Sequence, residues 1–465
     1  DLDLQDVAEN ALYSQLSRYG AHHGCVVVME VRTGDIKAIA NLEKGADGTY
    51  HETYNYAIGE STEPGSTFKL MSIMAALEDG VVDLDDLVET GNGTVKYYDK
   101  VIRDHDEKGL GTITVQEVFE KSSNVGTAKI IYDHYKDNPR NYVDRLYSMK
   151  LNRTLDLQIK GEGQPLIRYP GDKLWSGISL PMMSYGYEVH LTPLQILTFY
   201  NAVANDGKMM KPRFVTEIRD GRWIVKTYDT EVITNAVCSR STVRKAQTLL
   251  EGVVERGTAM NLKNSNYKIA GKTGTAQIAN EKYGYRTGSR ISYQASFVGY
   301  FPADDPLYSC IVVVNSPSSA VYYGNVVSGP VFKEIADKVY STNFYRDLQA
   351  LNDPDRPVRA PETGNGYYED INGTLKKLNI KARRNAEGDW VRTRESGDTL
   401  SVVDLTLTEG LMPNVVGMGL RDAIYLIESS GMRVRYTGRG RVIRQSLQPG
   451  ARVVNGGTVL IELKL

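Results

Sequence analysis

Apolar positions in residues 1–20 recur at Val7, Leu12 and Leu16, the spacing of an amphipathic helix. After Gly24 the pattern changes to an apolar run from Cys25 to Val31. The turn Arg32-Thr33-Gly34-Asp35 and the stretch Ile36 to Ala40 follow, which together predict a β-hairpin. A second strand cluster lies far downstream, at Tyr267–Gln277, Ala295–Phe301 and, past the turn Pro302–Pro306, Tyr308–Asn315. Val331–Tyr340 closes it with helical spacing, and the stretch between the clusters is mostly helical. Two strands, a helical middle, three strands and a closing helix predict an α/β (α+β) fold: one antiparallel five-stranded sheet flanked by helices.

Asn352–Gly366 is rich in Pro, Asp and Gly and reads as a linker, and residues 367–380 read as a helix. From Met412 a compact βαββ-like pattern appears. Its helix is Leu420–Ser430, with Ala423, Leu426 and Ile427 on one face, and its strands are Arg433–Tyr436, Arg441–Gln445 and Val459–Leu463. The expected organisation is a large domain over 1–345, a linker and partly helical connector over 346–410, and a small α+β module over 411–465.

A chain of 465 residues with 41% apolar and 24% charged residues suits two to three soluble globular domains. The net charge of −2 gives no argument for a nucleic acid partner. Charge is uneven, however: Leu411–Leu465 holds 8 Lys and Arg against 3 Asp and Glu, which supports a separate module with its own surface. Cys25, Cys238 and Cys310 make no disulfide framework and read as buried thiols, with a bridge between the Cys25 and Cys310 strands left open. No apolar run reaches the length of a bilayer span, and the sequence starts at Asp1 without a signal pattern, so it reads as a fragment or processed form.

Three short motifs carry candidate chemistry. Pro64-Gly65-Ser66-Thr67-Phe68-Lys69 opens a helix that is apolar nearly all round, with Leu70, Ile73, Met74 and Leu77 at helical spacing. Residues i and i+3 share a helix face, so the Ser66 hydroxyl and the Lys69 amine fall side by side, near free N–H groups of the helix start. Ser122-Ser123-Asn124 lies between two helical runs and can present a hydroxyl and a carboxamide to a cleft. Lys272-Thr273-Gly274-Thr275 sits in a strand-like run, where glycine permits close approach of a ligand, the lysine attracts a carboxylate and the threonines donate hydrogen bonds.

Taken singly, each has a plainer reading: a helix cap at Ser66, a snorkelling surface lysine at Lys69, an interhelical cap at Ser122. A phosphate loop ending at Gly271-Lys272-Thr273 is rejected, because Asn266 stands where its first glycine belongs and a strand follows rather than a helix. The ordered set S-x-x-K, S-x-N, K-T-G, at spacings of 56 and 150 residues, is far more specific than its parts.

With that set, Asp3–Tyr340 resembles the transpeptidase domain of a class B penicillin-binding protein. Gly34–Ala40, Ser184-Tyr185-Gly186-Tyr187, Leu191–Gln195, Asn205-Asp206-Gly207 and Val254–Thr258 also match. Pro413–Met418 through Gln448-Pro449-Gly450 to Ile461 resembles a single PASTA module. The family's membrane anchor and pedestal have no counterpart here, and residues 341–410 match nothing.

The resemblance implies a penicillin-binding transpeptidase fold, shared with serine β-lactamases. It implies a peptidoglycan D,D-transpeptidase of septal wall synthesis, with D-Ala-D-Ala stem peptides and β-lactams as ligands. Its partners would be a glycosyltransferase and other division proteins, at the extracytoplasmic face of a bacterial cytoplasmic membrane. No cofactor or metal is implied. Ser66 is then the nucleophile, Lys69 the general base, Ser122 a proton relay and Asn124 a holder of Lys69 and the substrate amide. Lys272, Thr273 and Thr275 bind the terminal carboxylate, Gly274 is a further substrate-binding residue, and the N–H groups of Ser66 and Thr275 form an oxyanion hole. Burial and the charge of Lys272 are expected to lower the Lys69 pKa. A β-lactamase would need a deacylation device, and the E-x-x-L-N pattern is absent. A carboxypeptidase would share the three motifs and transfer to water, and a β-lactam sensor or wall-binding protein would only trap acyl groups.

Overall fold

A computed structural model describes residues 1–106, 108–278, 292–317, 321–342, 364–378, 380–396 and 399–464. The chain divides into two compact units, Asp1–Asn343 and Phe344–Leu465.

The first unit begins with helix α1 (Leu2–Tyr19), capped by the Asp1 carboxylate at one end and by Gly20, with φ of 57°, at the other. Its buried stripe is Leu4, Ala8, Ala11, Leu12 and Leu16, while Val7 is only partly covered. Then come β1 (His23–Glu30), β2 (Ile36–Lys44) and the two-residue β3 (Tyr50–His51). Helices α2 (Lys69–Glu78), α3 (Val115–Glu120), α4 (Asn124–Tyr135), α5 (Pro193–Ala204) and α6 (Arg240–Glu255) form the middle. Strands β4 (Ala270–Gln277), β5 (Tyr293–Phe301) and β6 (Tyr308–Asn315) and helix α7 (Gly329–Thr342) complete the unit.

The main sheet runs β4-β5-β6-β1-β2-β3, antiparallel throughout. It therefore has six strands rather than the expected five. The extra one pairs only Tyr50 and His51 with Lys44 and Glu43, too short a run to show in an apolar pattern. The central strands are apolar on both faces because helices cover both, with α1 and α7 packed on the sheet and α5 under β5 and β6. The middle also holds short hairpins that the helical reading did not foresee, among them Thr94–Tyr97 with Lys100–Arg103. Strand β4 is an edge, and its outer side borders the cleft described below.

Cys25 lies opposite Val313, and Cys310 opposite Val28. Positions three apart on a strand face opposite sides of the sheet, so these two thiols cannot bridge. All three cysteines are buried and free.

In the second unit the expected linker lies outside the described residues as far as 363. Beyond it, the connector is more structured than its one expected helix. Strand β7 (Gly366–Tyr367), helix α8 (Tyr368–Lys377), β8 (Ala382–Asn385), β9 (Trp390–Ser396) and β10 (Thr399–Asp404) form a sheet ordered β7-β9-β10-β8. The next module has helix α9 (Leu420–Ser429), β11 (Arg433–Gly438), β12 (Arg441–Gln445) and β13 (Thr458–Lys464), ordered β11-β13-β12. Both modules follow one plan: a helix, then three strands, the first parallel and the second antiparallel to the third. They share contacts, since Leu405 belongs to the second module's core and the Trp390 ring stacks on Tyr425 at 5.6 Å.

Candidate active site

Ser66 sits not on the α-helix itself but on a 3₁₀ turn, Gly65–Phe68, that feeds α2. Such a turn has three residues per revolution and eclipses i with i+3, which puts Ser66 and Lys69 on one side of it. The turn rests on two glycines. Gly65, at φ of 56°, donates its N–H to the Gly186 carbonyl at 3.1 Å, and a Cβ on Gly186 would lie 2.1 Å from the Gly65 oxygen. This explains the place of Gly186 within Ser184-Tyr185-Gly186-Tyr187.

Lys69 is fully buried. Its Nζ donates to the Ser122 carbonyl at 2.6 Å, to Asn124 Oδ1 at 2.7 Å and to Ser122 Oγ at 3.2 Å. Lys272, also fully buried, donates to Ser122 Oγ at 2.8 Å and to the Thr273 carbonyl at 3.1 Å. One hydroxyl thus bridges two amines that water does not reach. Burial lowers Lys69 to about 7, with Asp104 acting in the opposite direction. Lys272 falls well below its ordinary range, first through burial and then through repulsion by Lys69. Burial thus leads at both amines, and the repulsion between them is mutual, so each disfavours the charged form of the other.

The Ser122-Ser123-Asn124 turn is held from both sides. Ser122 adopts φ of 57°, unusual for a residue with a side chain. Ser123 caps α4 by accepting from the Gly126 N–H at 2.8 Å. Asp104 accepts from Ser123 Oγ at 2.8 Å and from the Val125 N–H at 2.9 Å, and Asn124 Nδ2 donates to the Arg103 carbonyl at 2.9 Å. Asp104 escaped the sequence reading. It stands 18 residues before Ser122, outside every motif, and no spacing signals it.

On β4, Thr273 and Thr258 share a hydroxyl hydrogen bond of 2.9 Å, and Thr275 Oγ1 accepts weakly from the Gly324 N–H at 3.4 Å. A Cβ on Gly274 would lie 2.2 Å from Ser296 Oγ and 2.9 Å from Thr67 Cγ2, so a larger residue would force these side chains to shift where the strand packs against the Ser66 turn. Ser66, Ser122, Asn124, Thr273 and Thr275 line one cleft of about 520 Å³, whose rim includes Tyr187, Tyr293, Tyr322 and Tyr323. The expected site residues are thus brought together, with Lys69 and Lys272 buried against the Ser122 that lines the cleft. Among the described residues, no group of His, Cys, Asp and Glu could hold a metal ion.

Comparison with known proteins agrees with this geometry. The penicillin binding protein transpeptidase domain family matches residues 24–337. The chain belongs to that family. The PASTA domain family matches residues 410–464. The chain is similar to the peptidoglycan D,D-transpeptidase FtsI of Escherichia coli strain K12, with 30% identity over 376 residues, 79% of this chain and 59% of that protein. It is also similar to the probable peptidoglycan D,D-transpeptidase PbpC of Pseudomonas aeruginosa, with 28% identity over 72% of this chain and 56% of that one. The chain thus spans somewhat over half the length of these two relatives. Among solved structures, penicillin binding protein 3 from Mycobacterium tuberculosis, complexed with aztreonam, superposes with a TM-score of 0.62 at 27% identity, over 77% of this chain and 79% of that one.

Proposed function

We propose that this transpeptidase-family chain cross-links peptidoglycan stem peptides through an acyl-enzyme on Ser66. The observation that carries the reading is the hydrogen bonding of Lys69. A neutral amine has two N–H groups and one lone pair. Two strong bonds go to oxygens that can only accept, the Ser122 carbonyl and Asn124 Oδ1, which leaves the lone pair for a hydroxyl proton, so in the neutral form the 3.2 Å contact with Ser122 Oγ is one that the hydroxyl donates. A base poised near neutrality suits proton transfer at physiological pH.

Ser66 Oγ attacks the carbonyl of the penultimate D-Ala while Lys69 takes its proton. The oxyanion accepts hydrogen bonds from the Ser66 and Thr275 N–H groups. As the ester forms, the C–N bond breaks, and the departing D-Ala nitrogen receives a proton relayed from Lys69 through the Ser122 hydroxyl. Thr273 and Thr275 hold the terminal carboxylate, whose negative charge favours the ammonium form of Lys272. An amine from a neighbouring stem then attacks the ester, and Ser66 regains its proton. Asp104 orients Ser122 and Asn124 and biases Lys69 toward protonation, so it tunes the base without touching substrate.

The relatives' names support D,D-transpeptidation, and the aztreonam complex of the mycobacterial protein supports β-lactams as ligands. The FtsI name of a relative supports a role in division, and we propose with it a glycosyltransferase partner and a place at the outer face of the cytoplasmic membrane. Among the described residues no helix is long and apolar enough to cross a membrane.

Intact-mass analysis after incubation with benzylpenicillin tests the chemistry. One long-lived adduct is expected on Ser66, absent in Ser66→Ala; no adduct in the parent chain would sink the reading, and rapid turnover would favour a β-lactamase. With a thioester donor and D-Ala as acceptor, amide product marks transpeptidation, whereas the free acid alone marks a carboxypeptidase.

A further inference from the structure

The last strand, β13, alternates strictly. Val459, Ile461 and Leu463 are buried in the module core with Ala423, Leu426 and Ile427 of α9, while Thr458, Leu460, Glu462 and Lys464 are exposed. Directly paired residues project from the same face of a sheet, so the register carries this outer side across all three strands. Arg433 and Arg435 on β11 lie opposite Thr458 and Leu460; Arg441 and Arg444 on β12 lie opposite Lys464 and Glu462. The outer face therefore bears Arg433, Arg435, Arg441, Arg444 and Lys464, with Glu462 as its one acid, and each is exposed.

That concentration is not a by-product of the uneven sequence charge alone. Arg441 sits directly opposite Lys464, a like-charge pairing that costs stability in a sheet. The module core needs none of it, because packing uses the other face. Neighbouring strands stand ~4.8 Å apart and alternate residues ~7 Å apart along a strand, so the charges form a regular grid. The grid has its only large apolar exposure at Leu460, 48% exposed, and at Ile443 on the bulged edge, 46%. Surfaces that insert into lipid headgroups combine basic residues with a broad apolar ridge, which is missing from this face.

We propose that this open sheet face docks an extended polyanion with phosphodiester repeats, of the kind displayed at a bacterial cell surface. The choice of a surface polymer over a nucleic acid rests on the extracytoplasmic location inferred above, whereas the grid of charge stands on the register alone. Guanidinium groups pair with phosphate oxygens through two parallel hydrogen bonds, and the strand spacing lets successive phosphates meet successive arginines.

The test uses the full chain and a synthetic poly(glycerol phosphate), with binding followed by fluorescence anisotropy at several salt concentrations. Binding should weaken with salt at a logarithmic slope of about −3, as expected when roughly four charges are neutralised. Arg433→Ala with Arg435→Ala should weaken binding about tenfold and reduce the slope by roughly one to two. Lys376→Ala with Lys377→Ala, which removes as much charge from α8, should leave binding in place. An unchanged circular dichroism spectrum and thermal melt of the full chain check that the variants fold. Absence of binding at low salt would overturn the proposal, and so would equal loss in both double variants, which would reduce the effect to net charge. Retention on phosphatidylglycerol vesicles that depends on Arg433 and Arg435 and is not displaced by the polymer would replace it with a lipid surface.

Discussion

Two groups of cations lie in this chain under opposite solvent conditions. Lys69 and Lys272 are fully buried within reach of one serine hydroxyl, and burial drives both below their ordinary pKa range. Arg433, Arg435 and their neighbours on β11–β13 stand in water on an open sheet. The choice of residue follows the environment. An ammonium can give up its proton when water is withdrawn, whereas a guanidinium cannot, so lysine serves where a base is wanted and arginine where a permanent charge is wanted. The first pair gains chemistry from lost solvation; the second set keeps its charge and can only attract.

The strongest way to break this contrast is to remove the base but keep its volume. Lys69→Met should slow Ser66 acylation by penicillin about 10³- to 10⁴-fold in stopped-flow kinetics. A loss under tenfold would mean that another group takes the proton.

Next in size is Gly274→Ala, which puts a methyl group into Ser296 Oγ and Thr67 Cγ2. Overpacking of this kind costs about 1–3 kcal/mol, so both thermal stability and acylation should fall. An unchanged Tm would show that the Ser66 turn and β4 are less tightly joined than described.

The pH profile sharpens the comparison further. Only the unprotonated amine accepts a proton, so acylation should rise with pH through a midpoint near about 7 and then level off. Asp104 raises the Lys69 pKa, so Asp104→Asn should move that midpoint to lower pH. A purely structural Asp104 would lower the plateau and leave the midpoint alone. The smallest effect is expected from Arg433→Ala with Arg435→Ala on acylation itself: a change within about twofold, as for independent sites.

Much of this was legible in the sequence. Ser66, Lys69, Ser122, Asn124 and Lys272 were readable because three weak motifs occur in one order on a helix start, an interhelical turn and a strand. Long apolar runs such as Cys310–Val314 likewise marked the central strands, which are buried on both faces. What stayed hidden has physical causes. Asp104 acts through two short hydrogen bonds from a loop that shares no motif with the turn it holds. The connector strand β8, Ala382–Asn385, is exposed at every position, so it shows no alternation, and only its parallel pairing with β10 reveals it. The 3₁₀ turn beneath Ser66 depends on Gly186, 120 residues away in the sequence and in contact only after folding.

The left-handed backbone at Ser122 has a consequence for how this domain can change over time. A residue with a side chain pays about 1 kcal/mol or more to hold that conformation, and glycine adopts it freely. Glycine at 122 would relax the turn, yet it would delete the one hydroxyl that Lys69 and Lys272 share. Selection for thermal robustness and selection for turnover therefore pull in opposite directions at this position. Stabilising substitutions in the transpeptidase unit should accumulate elsewhere, and a lineage that drifts to glycine at 122 would keep a sturdier fold without the hydroxyl that the proposed proton relay needs.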